Sequence, residues 1–159
     1  MNIYPYNNEL AVDYARRWAF LRNPVYYNFD NLGGDCTNFI SQCLYAGCGV
    51  MNYTPTFGWY YNSINDRAPA WSGVDEFFSF ISKNQKEGPF AKIVLYSELV
   101  EGDFISLFRD GTYFHNLIIT KIHGGEIYTA SHTRDSLDKP LSSYRYFKAR
   151  YIHVLGYRK

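Results

Sequence analysis

The spacing of hydrophobic residues changes midway along the chain. In the first half, apolar residues recur every three or four positions, which is typical of helices with one buried face. Three helices are predicted, over residues 8–21, 35–46 and 74–84. Asn7 or Asn8 can cap the first helix, Asp35 can cap the second, and Gly47 can end it. The irregular, aromatic-rich stretch 49–73 predicts a loop.

In the second half, apolar runs are separated by Asp-Gly and Gly-Gly pairs, which are strong hairpin signals. Strands are predicted over residues 104–108, 112–122, 127–133 and 148–157. Helices followed by strands, rather than alternating with them, favour an α+β fold. The 159 residues contain no linker or repeat, so one domain spanning residues 1–159 is predicted.

Composition and charge exclude several classes of protein. The net charge is +1 and no basic stripe is present, so nucleic acid is not expected as a partner. No run approaches the about 20 apolar residues that a membrane span needs. The N-terminus lacks the pattern of a signal peptide, which predicts a cytoplasmic location, or an extracellular or cell-wall one if the chain is a fragment of an exported precursor.

The three cysteines are Cys36, Cys43 and Cys48. An odd number in one short region does not form a disulfide framework, and at least one thiol should be free. Their spacing also does not fit the usual zinc-ligand pairs. Neither a metal nor an organic cofactor is therefore predicted.

Cys36 lies where a thiol can be reactive. It follows Gly33-Gly34-Asp35 and falls in the first turn of the second predicted helix. Unpaired N–H groups and the helix dipole at this position favour the thiolate and could hold an oxyanion. Cys36 is therefore the candidate nucleophile.

Two histidines are predicted to lie near each other on one buried face. His115 lies within the predicted strand 112–122, on the parity of Leu117. If Gly124-Gly125 closes a two-residue turn, Leu117 opposes His132, and His132 becomes a diagonal neighbour of His115. The hypothesis is a catalytic triad in which His115 is the base and His132 orients it.

The stretch from Gly33 to Gly47, with its Asp-Cys-Thr-Asn-Phe core at 35–39, resembles the "Putative amidase domain" found largely in clostridia and related bacteria. That family is similar to the NlpC/P60 and CHAP cell-wall hydrolases. The resemblance extends over nearly the whole chain, including His115 and the Ser-His-Thr at 131–133. It implies a papain-like fold, with a nucleophile-bearing helix packed on an antiparallel sheet, and assigns Cys36, His115 and His132 as the catalytic residues.

The resemblance further implies a cysteine amidase or peptidase that acts through a thioester on a peptidoglycan stem peptide or a related small amide. Aromatic residues could line a substrate groove, namely Tyr27, Trp59, Tyr60 and Trp71. Tyr26 or Tyr27 could support an oxyanion hole, and Asp135 is an alternative orienting residue. Thr37-Asn38 and Asn116-Leu117 depart from the residues usual in NlpC/P60 proteins, and this departure leaves the substrate open. The alternatives are an acyltransferase or deamidase that acts on a protein target, and a catalytically inert ligand-binding module.

Overall fold

The computed structural model describes residues 1–159 and contains four α-helices, nine β-strands and two short 3-10 helices. The helices are α1 (Asn8–Trp18), α2 (Cys36–Cys48), α3 (Pro69–Ser72) and α4 (Val74–Lys83). The strands are β1 (Ile3–Tyr4), β2 (Tyr61–Ser63), β3 (Asp66–Arg67), β4 (Gly88–Ile93), β5 (Phe104–Arg109), β6 (Thr112–His123), β7 (Glu126–Ser131), β8 (Ser136–Pro140) and β9 (Lys148–Arg158). The 3-10 helices are Tyr96–Glu98 and Leu141–Ser143.

Seven of the strands form one sheet. Its order is β1-β9-β5-β6-β7-β8, and β4 pairs with β9 as well. Every strand pairing is antiparallel, and β2 and β3 form a separate hairpin. The predicted α+β class is therefore confirmed. No helix is long and apolar enough to span a bilayer.

The sheet separates two hydrophobic clusters because side chains alternate between its faces. The larger cluster lies between the helices and the sheet and contains Phe39, Phe104 and Ile118. The smaller cluster covers the other face and contains Leu117 and Ile119. Neighbouring residues of β6 thus face different environments, and we call these two sides the helix face and the far face.

Helix α2 is longer than predicted. Gly47 does not end it, because the helix continues to Cys48 and ends at Gly49, which has a φ of +66°. Gly47 instead allows the close approach of the chain before α1. A Cβ at this position would lie 2.2 Å from Cε2 of Tyr6.

The other differences from the predicted elements are short. Helix α1 ends at Trp18 rather than about Leu21, and its Asn7 cap accepts a hydrogen bond from the Leu10 N–H at 3.1 Å. The predicted loop 49–73 contains β2, β3 and α3. Strands β1, β4 and β8 were not predicted. Each of these elements has two to six residues, too few to show a clear period.

Candidate functional site

Two glycines shape the loop that leads into α2. Gly33 and Gly34 have φ values of +84° and +99°, a region that disfavours residues with a Cβ. A Cβ at Gly34 would also lie 3.3 Å from Thr133 Oγ1. That hydroxyl accepts a hydrogen bond from the Asp35 N–H at 3.2 Å. The turn after β7 thereby fixes the direction of the chain just before Cys36.

Cys36 is the first residue of α2, and its side chain is almost fully buried. Burial raises the pKa of the thiol. The backbone N–H groups of Thr37 and Asn116 and the Thr37 hydroxyl lower it, but they only partly offset the effect of burial. The resting form at neutral pH is therefore the thiol, although the start of a helix was expected to favour the thiolate.

A chain of buried hydrogen bonds ends at this thiol. Ser106 Oγ donates to Asn116 Oδ1 at 2.6 Å, and Asn116 Nδ2 donates to Thr37 Oγ1 at 3.1 Å. Thr37 Oγ1 lies 3.8 Å from Cys36 Sγ. Because the Thr37 oxygen already accepts from Asn116, its hydrogen is available to the sulfur. We call Ser106, Asn116 and Thr37 the hydroxyl–amide relay.

His115 lies next to Asn116 on β6, but its imidazole points to the far face. His115 pairs with Leu107, and Leu117 pairs with Ile105, so all four side chains face the smaller cluster. The ring centroid lies 5.9 Å from that of Tyr144. The structure brings Cys36 to the strand segment that carries His115, but no hydrogen bond joins the two side chains.

The imidazole of His115 is neutral at physiological pH. Burial and, to a smaller extent, the nearby cations Lys139 and Arg109 together lower its pKa to about 4. No hydrogen bond in the structure holds the ring, so packing alone sets its orientation. A neutral imidazole can accept a proton, which is what a general base requires.

The predicted register between β6 and β7 is wrong beyond a β-bulge. Lys121 pairs with Tyr128 as predicted, but Ile119 pairs with Thr129 because Thr120 is an extra residue. A shift of one residue moves each following side chain to the other face. His132 therefore lies on the helix face, and it is not the neighbour of His115 that the turn predicted.

His132 instead binds Asp35. Its Nδ1 lies 2.5 Å from Asp35 Oδ2, and its Nε2 donates to the Trp18 carbonyl at 2.8 Å. The ring stacks on Phe39 with a centroid distance of 3.9 Å. Both ring nitrogens are occupied, so neither is available to His115. The predicted orienting hydrogen bond to His115 is absent, and His132 supports the residue that precedes Cys36.

Asp35 also differs from its predicted role as a helix cap. Its side chain makes no capping bond to the backbone of α2. Its Oδ1 instead accepts from the Phe29 N–H at 2.8 Å and from Asn38 Nδ2 at 2.9 Å. Arg22 Nε lies 3.5 Å from Oδ2, and Arg22 also binds both oxygens of Asp135 at 2.8 and 2.9 Å. Asp135 therefore anchors Arg22 and makes no hydrogen bond with His115.

The aromatic residues predicted to form a groove do not lie together on the surface. Trp59 and Trp71 are fully buried, and their indole N–H groups donate to Ser41 Oγ and Asn38 Oδ1. This placement does not match the predicted groove. Tyr60 is half-buried and its ring packs against Tyr53, while Tyr27 is exposed and its ring contacts Phe29. Neither Tyr26 nor Tyr27 contacts Cys36 through a hydrogen bond.

Three functional candidates were missed in the sequence. Asn116 and Thr37 were noted only as departures from a motif, and Ser106 was not noted at all. A single sequence shows no sign of their contacts, which join α2, β5 and β6. No group of His, Cys, Asp and Glu residues could hold a metal ion.

Comparison with known proteins gives a family. The family model described as "Putative amidase domain" matches residues 5–155. The "Uncharacterized protein YhbB" of Bacillus subtilis (strain 168) is 30% identical over 138 residues, which cover 84% of this chain and 43% of that protein. The chain thus spans less than half the length of this relative. No solved structure matches the chain.

Replacing His132 should destabilise the protein strongly. In His132→Ala the Asp35 carboxylate stays buried without its closest partner, and this should lower the free energy of unfolding by roughly 3–5 kcal/mol. Urea unfolding measures the effect. His123→Ala is the matched control, because His123 is exposed and its loss should change stability by less than about 0.5 kcal/mol. A loss below about 1 kcal/mol for His132→Ala would show that the pair contributes little.

His115 should make stability depend on acid pH. Because its pKa is about 4 in the folded chain and about 6.5 in the unfolded chain, the unfolded state binds more protons between these values. The contribution of His115 to the free energy of unfolding is complete above pH about 6.5 and is lost as the pH falls towards about 4. The total loss should be about 3 kcal/mol. Unfolding of His115→Gln across this range should lack that slope. His123→Gln should keep it.

Proposed function

Because the chain belongs to the family described as "Putative amidase domain", we propose that it hydrolyses an amide or peptide bond with Cys36 as its nucleophile. The family name suggests an amidase, and therefore a hydrolase. The cysteine mechanism is our inference from the geometry. The proposed substrate is a peptidoglycan stem peptide or a related small amide.

The observation that carries the proposal is the position of Cys36. Its thiol lies at the start of α2 against β6, where the N–H groups of Thr37 and Asn116 lower its pKa. Its own N–H has no acceptor within the protein, as is usual in the first turn of a helix. That N–H is the proposed donor to the oxyanion that forms when the thiol attacks a carbonyl carbon.

His115 is the proposed base. It precedes Asn116 on the strand segment that lies against the thiol, and it is neutral over the physiological range. The proposal requires the backbone of β6 at His115 to change when substrate binds, so that the imidazole reaches the sulfur, because rotation of the side chain alone keeps the ring on the far face. The pairing of β5 with β6 is already irregular beside His115, between Leu107 and Phe108, and no hydrogen bond holds the ring. The proposed state before attack is a neutral thiol beside a neutral imidazole, rather than a preformed ion pair.

The proposed reaction has two steps. His115 takes the proton from Cys36 as the sulfur bonds to the carbonyl carbon, and it then gives that proton to the departing amine. In the second step His115 takes a proton from water as the water oxygen bonds to the same carbon. The C–S bond then breaks to release the acid, and His115 returns the proton to the Cys36 sulfur. A helix with the nucleophile at its start, packed on an antiparallel sheet with the base, is the arrangement of a papain-like fold, and we propose that class.

Turnover of short peptide amides tests the assignment. Cys36→Ala and His115→Asn should each reduce kcat/KM by roughly 10³-fold or more, because neither the nucleophile nor the base can be bypassed. Cys48→Ala should retain activity. As the pH falls, kcat/KM should decline only near His115's pKa of about 4, since the base must be neutral.

Mass spectrometry of the reacting enzyme supplies the second readout. An acyl adduct on Cys36 that forms in the wild type and not in Cys36→Ala supports a thioester. An amine added to the reaction separates hydrolase from acyltransferase, because a transferase would make the new amide faster than the acid. Unchanged turnover in Cys36→Ala would sink the proposal.

The hydroxyl–amide relay should tune the thiol. Thr37→Val keeps nearly the same side-chain shape but removes the hydroxyl that donates to the thiol. The pKa of Cys36 should therefore rise, and its alkylation by iodoacetamide at a fixed pH should slow by about fivefold. Thr37→Ser should restore the wild-type pH profile. In Asn116→Asp the new carboxylate accepts the Thr37 hydrogen and adds negative charge, so the rate should fall further. An identical pH profile in Thr37→Val and the wild type would contradict the relay.

A further inference from the structure

Arg150 on β9 is held between two aromatic rings. Its guanidinium carbon lies 3.7 Å from the ring centroid of Phe78 on α4 and 3.6 Å from that of Tyr113 on β6. The side chain is only 13% exposed. Stacking on both faces fixes the plane of the guanidinium and stabilises its charge, but it uses none of the N–H groups, which lie in that plane.

One edge of this guanidinium has no hydrogen-bond partner. Nε and Nη2 are buried and bond to nothing in the protein. Their N–H groups are parallel and form the fork that binds two oxygens of a carboxylate side-on. The nearest acid is Asp75, whose Oδ1 lies 4.0 Å from Nη2 and whose side chain is 71% exposed. Buried polar groups without partners are rare, so this fork requires an explanation.

Arg150 lies on the same face of the sheet, and in the same cross-strand row, as Ser106 and Asn116 of the relay. Arg150 pairs with Ser106 across β9 and β5, and Ser106 pairs with Asn116 across β5 and β6. Cross-strand partners share a face, and strands are about 4.8 Å apart, so the Cα atoms of Arg150 and Asn116 are about 10 Å apart. Asn116 in turn contacts Thr37, next to Cys36. About three residues of extended chain have this length.

We propose that Arg150 is a specificity residue that binds a free carboxylate of the substrate, about three residues of extended chain from the amide cleaved at Cys36. The assignment rests on the proposed function and narrows its substrate class to amides that carry a nearby carboxylate. The exposed Asp75 side chain moves aside to admit this carboxylate, which then occupies the Nε–Nη2 fork. The aromatic rings hold the fork in place before substrate binds, which reduces the entropy lost on binding.

Alkylating reagents of graded length test the site without any need for turnover. The reagents are N-iodoacetyl derivatives of glycine, 4-aminobutyrate and 6-aminohexanoate, each compared with its carboxamide. Cys36 labelling is followed by mass spectrometry at about pH 8. At one chain length or more, the acid should label Cys36 roughly tenfold faster than its carboxamide, because a bidentate charged pair forms only with the acid. In Arg150→Met this ratio should fall to about one.

Three further variants test whether the preference for the acid comes from the Arg150 fork itself. Arg158 is a matched control, because its guanidinium also stacks on a ring, that of Phe90 at 3.8 Å, but it donates to the Asn84 carbonyl. Arg158→Met should keep the wild-type ratio, and Arg150→Lys, which keeps the charge but not the fork, should give an intermediate ratio. Circular dichroism verifies that each variant is folded. Asp75→Asn should keep or increase the ratio, since Asp75 competes with the reagent.

The outcomes separate this inference from the proposed function. A ratio of about one at every length in the wild type, or a ratio that Arg150→Met leaves unchanged, would overturn the carboxylate site even if peptide amides are hydrolysed. An acid preference that depends on Arg150, in a protein that hydrolyses no amide, would support the site and contradict the hydrolase.

Discussion

The buried carboxylate of Asp35 is the constraint on which the rest of the site depends. It has no exposed surface, so its charge must be met from within the protein. One partner, the Asn38 amide, lies in α2 itself; the Phe29 N–H and Arg22 lie in the segment between α1 and α2, and His132 lies just after β7. These contacts hold that segment and the end of β7 at the start of α2, and Cys36 is the next residue. The position of the thiol is therefore a consequence of where a single charge is neutralised.

Strand β6 then divides the site between two faces. Asn116 faces the helices and extends the relay to Thr37, whereas His115 faces the smaller cluster and makes no hydrogen bond. Burial acts on both titrating groups in the direction of the neutral form: it raises the pKa of Cys36 and lowers the pKa of His115. A thiolate–imidazolium pair would require both groups to charge in a poorly solvated place. The resting site thus holds a proton on sulfur and, on the other face of β6, a neutral imidazole.

The sequence predicted well those features that depend on neighbouring residues. It predicted wrongly the face on which His132 lies, which depends on a one-residue shift in the pairing of β6 with β7. The amphipathic helices, the hairpin turns and the Gly-Gly-Asp-Cys start of α2 follow from period and backbone preference, and they were predicted close to their observed limits. The bulge at Thr120 leaves no mark in the alternation of β6, yet it carries His132 to the other face. The buried indoles of Trp59 and Trp71 could not be distinguished from surface aromatics, because an amphipathic ring suits both places. The contacts of Asp35 and Asn116 join distant segments and have no local signal.

The protein treats its two buried charges near α2 and β9 in opposite ways. Asp35 is surrounded by partners that the protein itself supplies. Arg150 has rings on both faces and no hydrogen-bond acceptor at its fork, and the nearest carboxylate, that of the exposed Asp75, lies 4.0 Å from Nη2. Burying a charge is costly, and a fold selected only for stability would be expected to supply a hydrogen-bond acceptor to Arg150 as well. A fork without a hydrogen-bond acceptor, on a residue in the same cross-strand row as Ser106 and Asn116, is better explained by a partner that binds reversibly. Under the proposed assignment that partner is the substrate carboxylate.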